Sequence, residues 1–160
     1  MKNYNSESSF SVKLITTGIV IVMGIVIFST LTLNENFGII GGIIISLIIL
    51  STLIYFYANS LKKITIGEKH LTLQKNIGKI EIPFANIMKI ERLEFSNLSM
   101  TYGSKGVFGY IGNTMDDSIS MVNDRKNMVR IITKEKKYTI SSEKPEELTN
   151  EIKNVLQHRV

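Results

Sequence analysis

The chain has 160 residues, a formal net charge of +5 and no cysteine. That length suits one ordinary domain, and the missing thiols exclude disulfides, thiolate metal sites and cysteine nucleophiles. Lys2 and Lys13 balance Glu7 and Glu35, so the positive excess lies from residue 62 onward.

Residues 1–13 read as an N-terminal tail. Residues 14–33 then run without a charge, and residues 37–58 do the same with Ile and Leu dominant. Each run has about 20 residues, which as a helix spans roughly 30 Å, the hydrocarbon thickness of a bilayer. Many of these residues are β-branched and favour strands in water. In lipid every backbone N–H and C=O must be satisfied locally, and a helix does that. The short link Asn34-Glu35-Asn36 predicts an antiparallel hairpin. Gly38, Gly42 and Ser46 recur every four residues, a small-residue face that lets another helix come close. A signal peptide is disfavoured, because the first run is long, no small-residue cleavage site follows and a second run comes at once.

Positive charge sets the orientation. Lys13 precedes the first run, Lys62 and Lys63 follow the second, and the link carries Glu35 with no Lys or Arg. Both termini are expected in the cytoplasm, with Tyr55, Phe56 and Tyr57 at the interface.

From Leu61 the period changes to two. Ile64 and Ile66, Leu71 and Leu73, then Ile80 and Ile82 alternate with polar neighbours, as strands with one buried face do. Turns are predicted at Gly67–Lys69 and Asn76–Gly78, and Pro83 ends the third strand. A further strand covers Ile87 to Phe95, and Leu98, Met100 and Tyr102 alternate again. Gly103 to Gly112 is a glycine-punctuated stretch. A meander follows, with strands at Ser118–Val122, Met128–Thr133 and Tyr138–Ser141. Short strands at this spacing predict a small barrel or sandwich. Leu148, Ile152, Val155 and Leu156 form one apolar stripe of a closing helix whose start holds Pro145 and acidic residues.

Three stretches carry a family resemblance. Ile80-Glu81-Ile82-Pro83-Phe84-Ala85-Asn86-Ile87 looks like the I-P-y-x-x-I step of bacterial pleckstrin-homology (PH) domain proteins. Gly106-Val107-Phe108-Gly109-Tyr110-Ile111-Gly112 resembles their G-x-x-G-y-x-G segment. Tyr138 to Ser142 with Pro145 to Leu148 resembles their final strand and helix start. The resemblance covers residues 62–157. It implies a transmembrane helical hairpin followed by an all-β PH-like barrel over residues 62–160, capped by a C-terminal α-helix. The basic signature of phosphoinositide-binding PH domains is not matched. Lys62, Lys63, Lys69 and Lys75 are present, but no Arg precedes Arg92.

Catalytic and metal chemistry find no constellation. His70 and His158 stand alone, Asp116, Asp117 and Asp124 read as turn residues, and the recurring glycines lack the Lys-Ser/Thr of a phosphate loop. Asn97-Leu98-Ser99 matches a glycosylation sequon on the side expected to be cytoplasmic. No enzyme and no cofactor are expected. The expected role is a membrane-anchored binding or scaffold module that recognises a protein partner or itself. The alternative is a sensor of anionic lipid, because headgroups attract a basic domain by about 1 kcal/mol per nearby Lys or Arg. Between residues 102 and 112 both alternating faces are apolar, Phe108 and Tyr110 against Val107 and Ile111. The candidate partner surface is therefore Tyr102, Lys105, Phe108 and Tyr110.

Overall fold

A computed structural model describes residues 2–32, 36–95 and 98–157. Two long helices, α1 (Phe10–Leu31) and α2 (Asn36–Asn59), carry the two apolar runs. Both are long and apolar enough to cross a membrane, by length and composition. α1 begins earlier than expected because Ser9 caps it: its side chain accepts a hydrogen bond from the Val12 N–H. Such a cap satisfies one of the first N–H groups of a helix. Lys13 thus lies inside α1. The helices touch where a side chain on Gly42 would meet the Thr30 carbonyl, and Ser46 is buried one turn further on. Asn34 and Glu35 of the link lie outside the described residues, as does the side-chain environment of position 38.

The expected tail contains a strand. β1 (Lys2–Asn5) pairs antiparallel with β2 (Leu61–Ile66), Lys2 opposite Ile66 and Asn5 opposite Lys63. Tyr4 is its buried residue, and Lys2 reaches Glu147 and Glu151 at 3.0 and 2.9 Å. β3 (His70–Lys75) and β4 (Lys79–Pro83) complete a four-stranded sheet in the order β1-β2-β3-β4.

The second sheet holds β5 (Ile87–Leu93), β6 (Met100–Lys105), β7 (Tyr110–Thr114), β8 (Ser118–Val122), β9 (Met128–Thr133) and β10 (Lys137–Ser141). Its order is β5-β9-β10-β8-β7-β6. This corrects the expected barrel: among the described residues the strands form two sheets rather than one closed ladder. The break falls at Pro83, which has no N–H to donate. A 3-10 turn at Phe84–Asn86 there carries the chain from β4 into the other sheet. The sheets still share one core. Ile64, Leu71 and Leu73 from the first meet Val129, Ile131 and Ile140 from the second. The C-terminal helix α3 (Pro145–Gln157) adds Leu148 and Ile152, both fully buried, with Val155 and Leu156 packed at the margin.

Candidate functional site

The glycine-rich stretch is the β6–β7 hairpin, and its tip sits against the outer ends of both long helices. The Gly106 N–H donates to the Gly109 carbonyl at 3.0 Å, which closes the turn. The Ser104 hydroxyl donates to the Val107 carbonyl at 2.7 Å and accepts from its N–H at 2.9 Å. Phe108 is left-handed, with φ of 56°, so it belongs to the turn and to no strand face. Thr16 of α1 receives the Phe108 N–H at 2.8 Å and donates to the Gly106 carbonyl at 3.3 Å. The Tyr57 ring of α2 meets the Phe108 ring edge-on, with centroids 5.6 Å apart. Two glycines make this approach feasible. A Cβ on Gly106 would lie 2.9 Å from Ile15 Cδ1, and one on Gly109 would lie 2.7 Å from Asn123 Oδ1 and 2.8 Å from the Val122 carbonyl.

Beneath the hairpin lies a buried polar hub, Asn123, only 2% exposed. Its side-chain amide donates to the carbonyls of Ser6, at 2.9 Å, and Leu61. Ser6 precedes α1 and Leu61 follows α2, so one side chain ties together the two segments that lead into the helices. Ser60 Oγ lies 2.8 Å from the Phe108 carbonyl and 3.1 Å from Asn123 Oδ1, and its one hydrogen serves either. The backbone of Asn123 joins in. Its N–H donates to Ser141 Oγ at 2.8 Å, and its carbonyl accepts from the Ser9 N–H at 3.0 Å. The β3–β4 turn caps α2. Asn76 and Ile77 donate backbone N–H groups to the carbonyls of Ser60 and Ala58, at 2.9 and 3.0 Å. The Asn76 side chain donates to the Tyr57 carbonyl at 3.0 Å. These bonds satisfy carbonyls that a helix end otherwise leaves orphaned.

The four sequence-derived surface residues therefore separate. Tyr102 is 63% exposed on β6, and Lys105 is exposed at the end of the same strand. Phe108 is held by Tyr57. Tyr110 is half-buried, with the Arg125 guanidinium 5.2 Å from its ring centroid. Of these four, Tyr102 and Lys105 are exposed, both on β6, an edge strand of the six-stranded sheet. Tyr102 also borders a cleft of about 150 Å³ between the sheets, beside Tyr55 and Asn59 of α2.

The acidic residues singled out earlier are engaged in turns. Asp116 accepts from Thr114 and Ser118 and pairs with Arg130 at 2.6 Å. Burial pushes its carboxyl up, but those hydrogen bonds and the Arg130 charge outweigh burial and hold it below its ordinary value. Asp124 accepts from the Lys126 N–H and the Asn127 side chain. Among the described residues no group of three or more His, Asp or Glu is placed to hold a metal ion. His70 is exposed at the start of β3. His158 and Asn97 lie outside the described residues.

The residues that sequence reasoning missed are Asn123, Ser60, Thr16 and Arg125. Asn123 falls in a segment legible only as a turn. Its role depends on Ser6 and Leu61, which are remote in the chain.

The family model for the bacterial PH domain matches residues 53–156. The match starts within the last two turns of α2 and runs through nearly all of α3, so it takes in the helix end that the β3–β4 turn caps. Comparison with curated proteins and with solved structures gives no match.

Proposed function

Because the chain belongs to the bacterial PH domain family, we propose that it is a membrane-anchored binding module without catalytic activity. α1 and α2 serve as the spans, and both chain ends face the cytoplasm. Burial supports the spans: only 6% and 11% of their apolar windows is buried inside the molecule, whereas the core helix of a soluble protein is mostly covered. Charge supports the orientation. Lys13 lies in the first turn of α1, and Lys62 and Lys63 follow the end of α2, the side that positive residues favour.

The observation that carries this reading is the junction. Ser6, Ser9 and Thr16 at one helix and Ser60 and Leu61 at the other are bonded to one hairpin tip and one hub, Asn123, and the Tyr57 ring packs on Phe108 of that tip. A domain on a loose tether samples many poses. A domain fixed this way presents the same surfaces at the same height above the bilayer.

The surface left for a protein partner, or for a second copy, is the β6 edge with Tyr102 and Lys105. An outermost strand has unpaired backbone groups that accept an added strand, and an exposed aromatic is the usual centre of binding energy. Photo-cross-linking from the neighbouring exposed position 101 of β6 in native membranes tests this. Tyr102→Ser and Lys105→Glu should each abolish the cross-linked partner while the melting temperature stays unchanged. Cross-links that persist in both variants would place the partner elsewhere.

A second reading, an anionic lipid surface as ligand, is favoured by one specific cluster around Arg125. Its general form predicts steep weakening of liposome binding with salt, because exposed charges are screened.

A further inference from the structure

Three arginines lie among the described residues, and two have acidic partners. Arg92 pairs with Glu146, and Arg130 with Asp116 and Glu91. No described carboxylate comes within ion-pairing distance of Arg125, yet its guanidinium is fixed. Nη2 donates to the carbonyls of Phe95 and Leu98 at 3.0 and 3.4 Å. The guanidinium carbon lies 4.1 Å from the Phe95 ring centroid and 5.2 Å from that of Tyr110. Nε is buried without a partner, and Nη1 has none among the described residues. A planar cation held between two rings, with its Nη1 donors unused among the described residues, is preorganised to hold an oxyanion.

The guanidinium lines a cleft of about 350 Å³, walled by the start of α1, by Phe95 and Tyr110, and by the Asp124–Lys126 turn. Asp124 is occupied within that turn, at 2.9 Å from the Lys126 N–H and 2.8 Å from Asn127 Nδ2. Lys126 is exposed, so the cleft stays net positive. Its rim is apolar: Phe10 is 80% exposed and Phe95 is 55% exposed. Phe10 is also the first residue of α1, where the apolar span begins.

We propose that this cleft binds the phosphate of an anionic phospholipid headgroup, with Arg125 as its main ligand. Lys126 adds charge, and Phe10 and Phe95 rest against the headgroup and glycerol region, above the level at which Thr16 bonds the hairpin tip. A free phosphate ion has no use for the two exposed phenyl rings, whereas a headgroup at the start of a span needs a charged pocket and an apolar rim together. None of the residues that line the cleft comes from β2 or β3, whose lysines lack an arginine, or from β6, although Tyr110 pairs with Lys105 of that strand. The proposal rests on the reading of α1 and α2 as spans.

The test uses the full chain, extracted from bilayers that mix phosphatidylglycerol with phosphatidylcholine, and native mass spectrometry of the lipid it retains. The parent protein should be enriched in phosphatidylglycerol. Arg125→Gln should lower that enrichment by about tenfold, the worth of one charged hydrogen bond or more. Because Arg125→Gln also frees two carbonyls, Phe10→Ser is a second arm. Phe10 is exposed, so this change should weaken retention with no loss of melting temperature. Lys153→Gln, which removes the same charge from α3, should change nothing. Enrichment that survives both Arg125→Gln and Phe10→Ser overturns the site. Displacement of the lipid by millimolar inorganic phosphate would make it a free-anion site and overturn the lipid assignment. Alkaline carbonate extraction separates the two layers of the argument. Release of the chain from membranes sinks the spans, whereas a retained chain with no enrichment sinks only the cleft.

Discussion

Asn123→Ala is the sharpest perturbation of the junction. It removes the two amide donors that satisfy the Ser6 and Leu61 carbonyls and leaves both carbonyls facing a small void. Asn123 is 2% exposed, so water does not readily replace the amide. A typical hydrogen bond contributes about 1 kcal/mol net, and a buried group left unsatisfied costs about 1–3 kcal/mol. Two such groups put the loss at about 3 kcal/mol, since the backbone bonds of residue 123 survive the change. For a domain near 100 residues, that is a fall of about 15 °C in melting temperature. The assay is near-ultraviolet circular dichroism of the full chain in nanodiscs, which reads tyrosine packing because the chain has 6 Tyr and no Trp. Hydrogen exchange should quicken at Ser6–Val12 and at Gly106–Phe108 before the rest of the domain. Asn123→Asp keeps the volume and turns both donors into an acceptor, so it should cost at least as much. An Asp variant as stable as the parent would refute the reasoning, because the side chain could not then be donating to those carbonyls.

Further outcomes follow from other parts of the structure. Gly109→Ala should cost about 2 kcal/mol, because φ of 127° disfavours a side chain and its Cβ would crowd Asn123 and Val122. Combined with Asn123→Ala its cost should be less than additive, as a double-mutant cycle by urea denaturation will report. Leu148→Asp or Ile152→Asp, each placing a charge at a fully buried core position, should abolish the cooperative thermal transition; an unchanged transition in both would mean that α3 is not docked. Asp116 titrates below its unfolded value, so its contribution is present above about pH 4 and lost as pH falls through the lower folded value. Asp116→Asn should therefore flatten the acid limb of the urea midpoint and lower the neutral plateau, and an unchanged acid limb would remove Asp116 from the account. A cysteine at position 36 should react with an impermeant thiol reagent in intact cells and one at Ser141 should not; the reverse pattern defeats the orientation.

The strands with a clean period of two, and the α3 stripe, are legible because burial on one face writes itself into local sequence. β1 is not, since Lys-Asn-Tyr-Asn offers one apolar residue, and it becomes a strand only because β2 lends a partner edge. β7 was masked by its glycines. The difference between a closed barrel and two sheets turns on hydrogen bonding around Pro83 and the 3-10 turn after it, which alternation does not encode. The direction of Phe108 has the same source. Alternation assumes an extended chain, and one left-handed residue at a hairpin tip reverses where its neighbours point. Arg125 carried no local signal either, because Phe95 reaches it from the segment after β5 and Tyr110 from the start of β7.

Fixing the domain against two helix ends has a consequence for partners. The hairpin tip, the hub and the α2 cap all use groups at or near the outer ends of the two long helices. If those helices cross the bilayer, the β6 edge cannot swing out to meet a partner deep in the cytosol. A partner that adds a strand to β6 must itself lie close to the membrane surface, or be a second copy held at the same height. Confinement to that layer raises the effective concentration of such a partner, so a modest edge, with one exposed tyrosine and one lysine, is enough to recruit it. The same geometry separates the two readings. A lipid bound at Arg125 lies beside the start of α1, whereas Tyr102 borders the end of α2. Each can therefore be removed by mutation without disturbing the other, and Tyr102→Ser should leave phosphatidylglycerol retention intact.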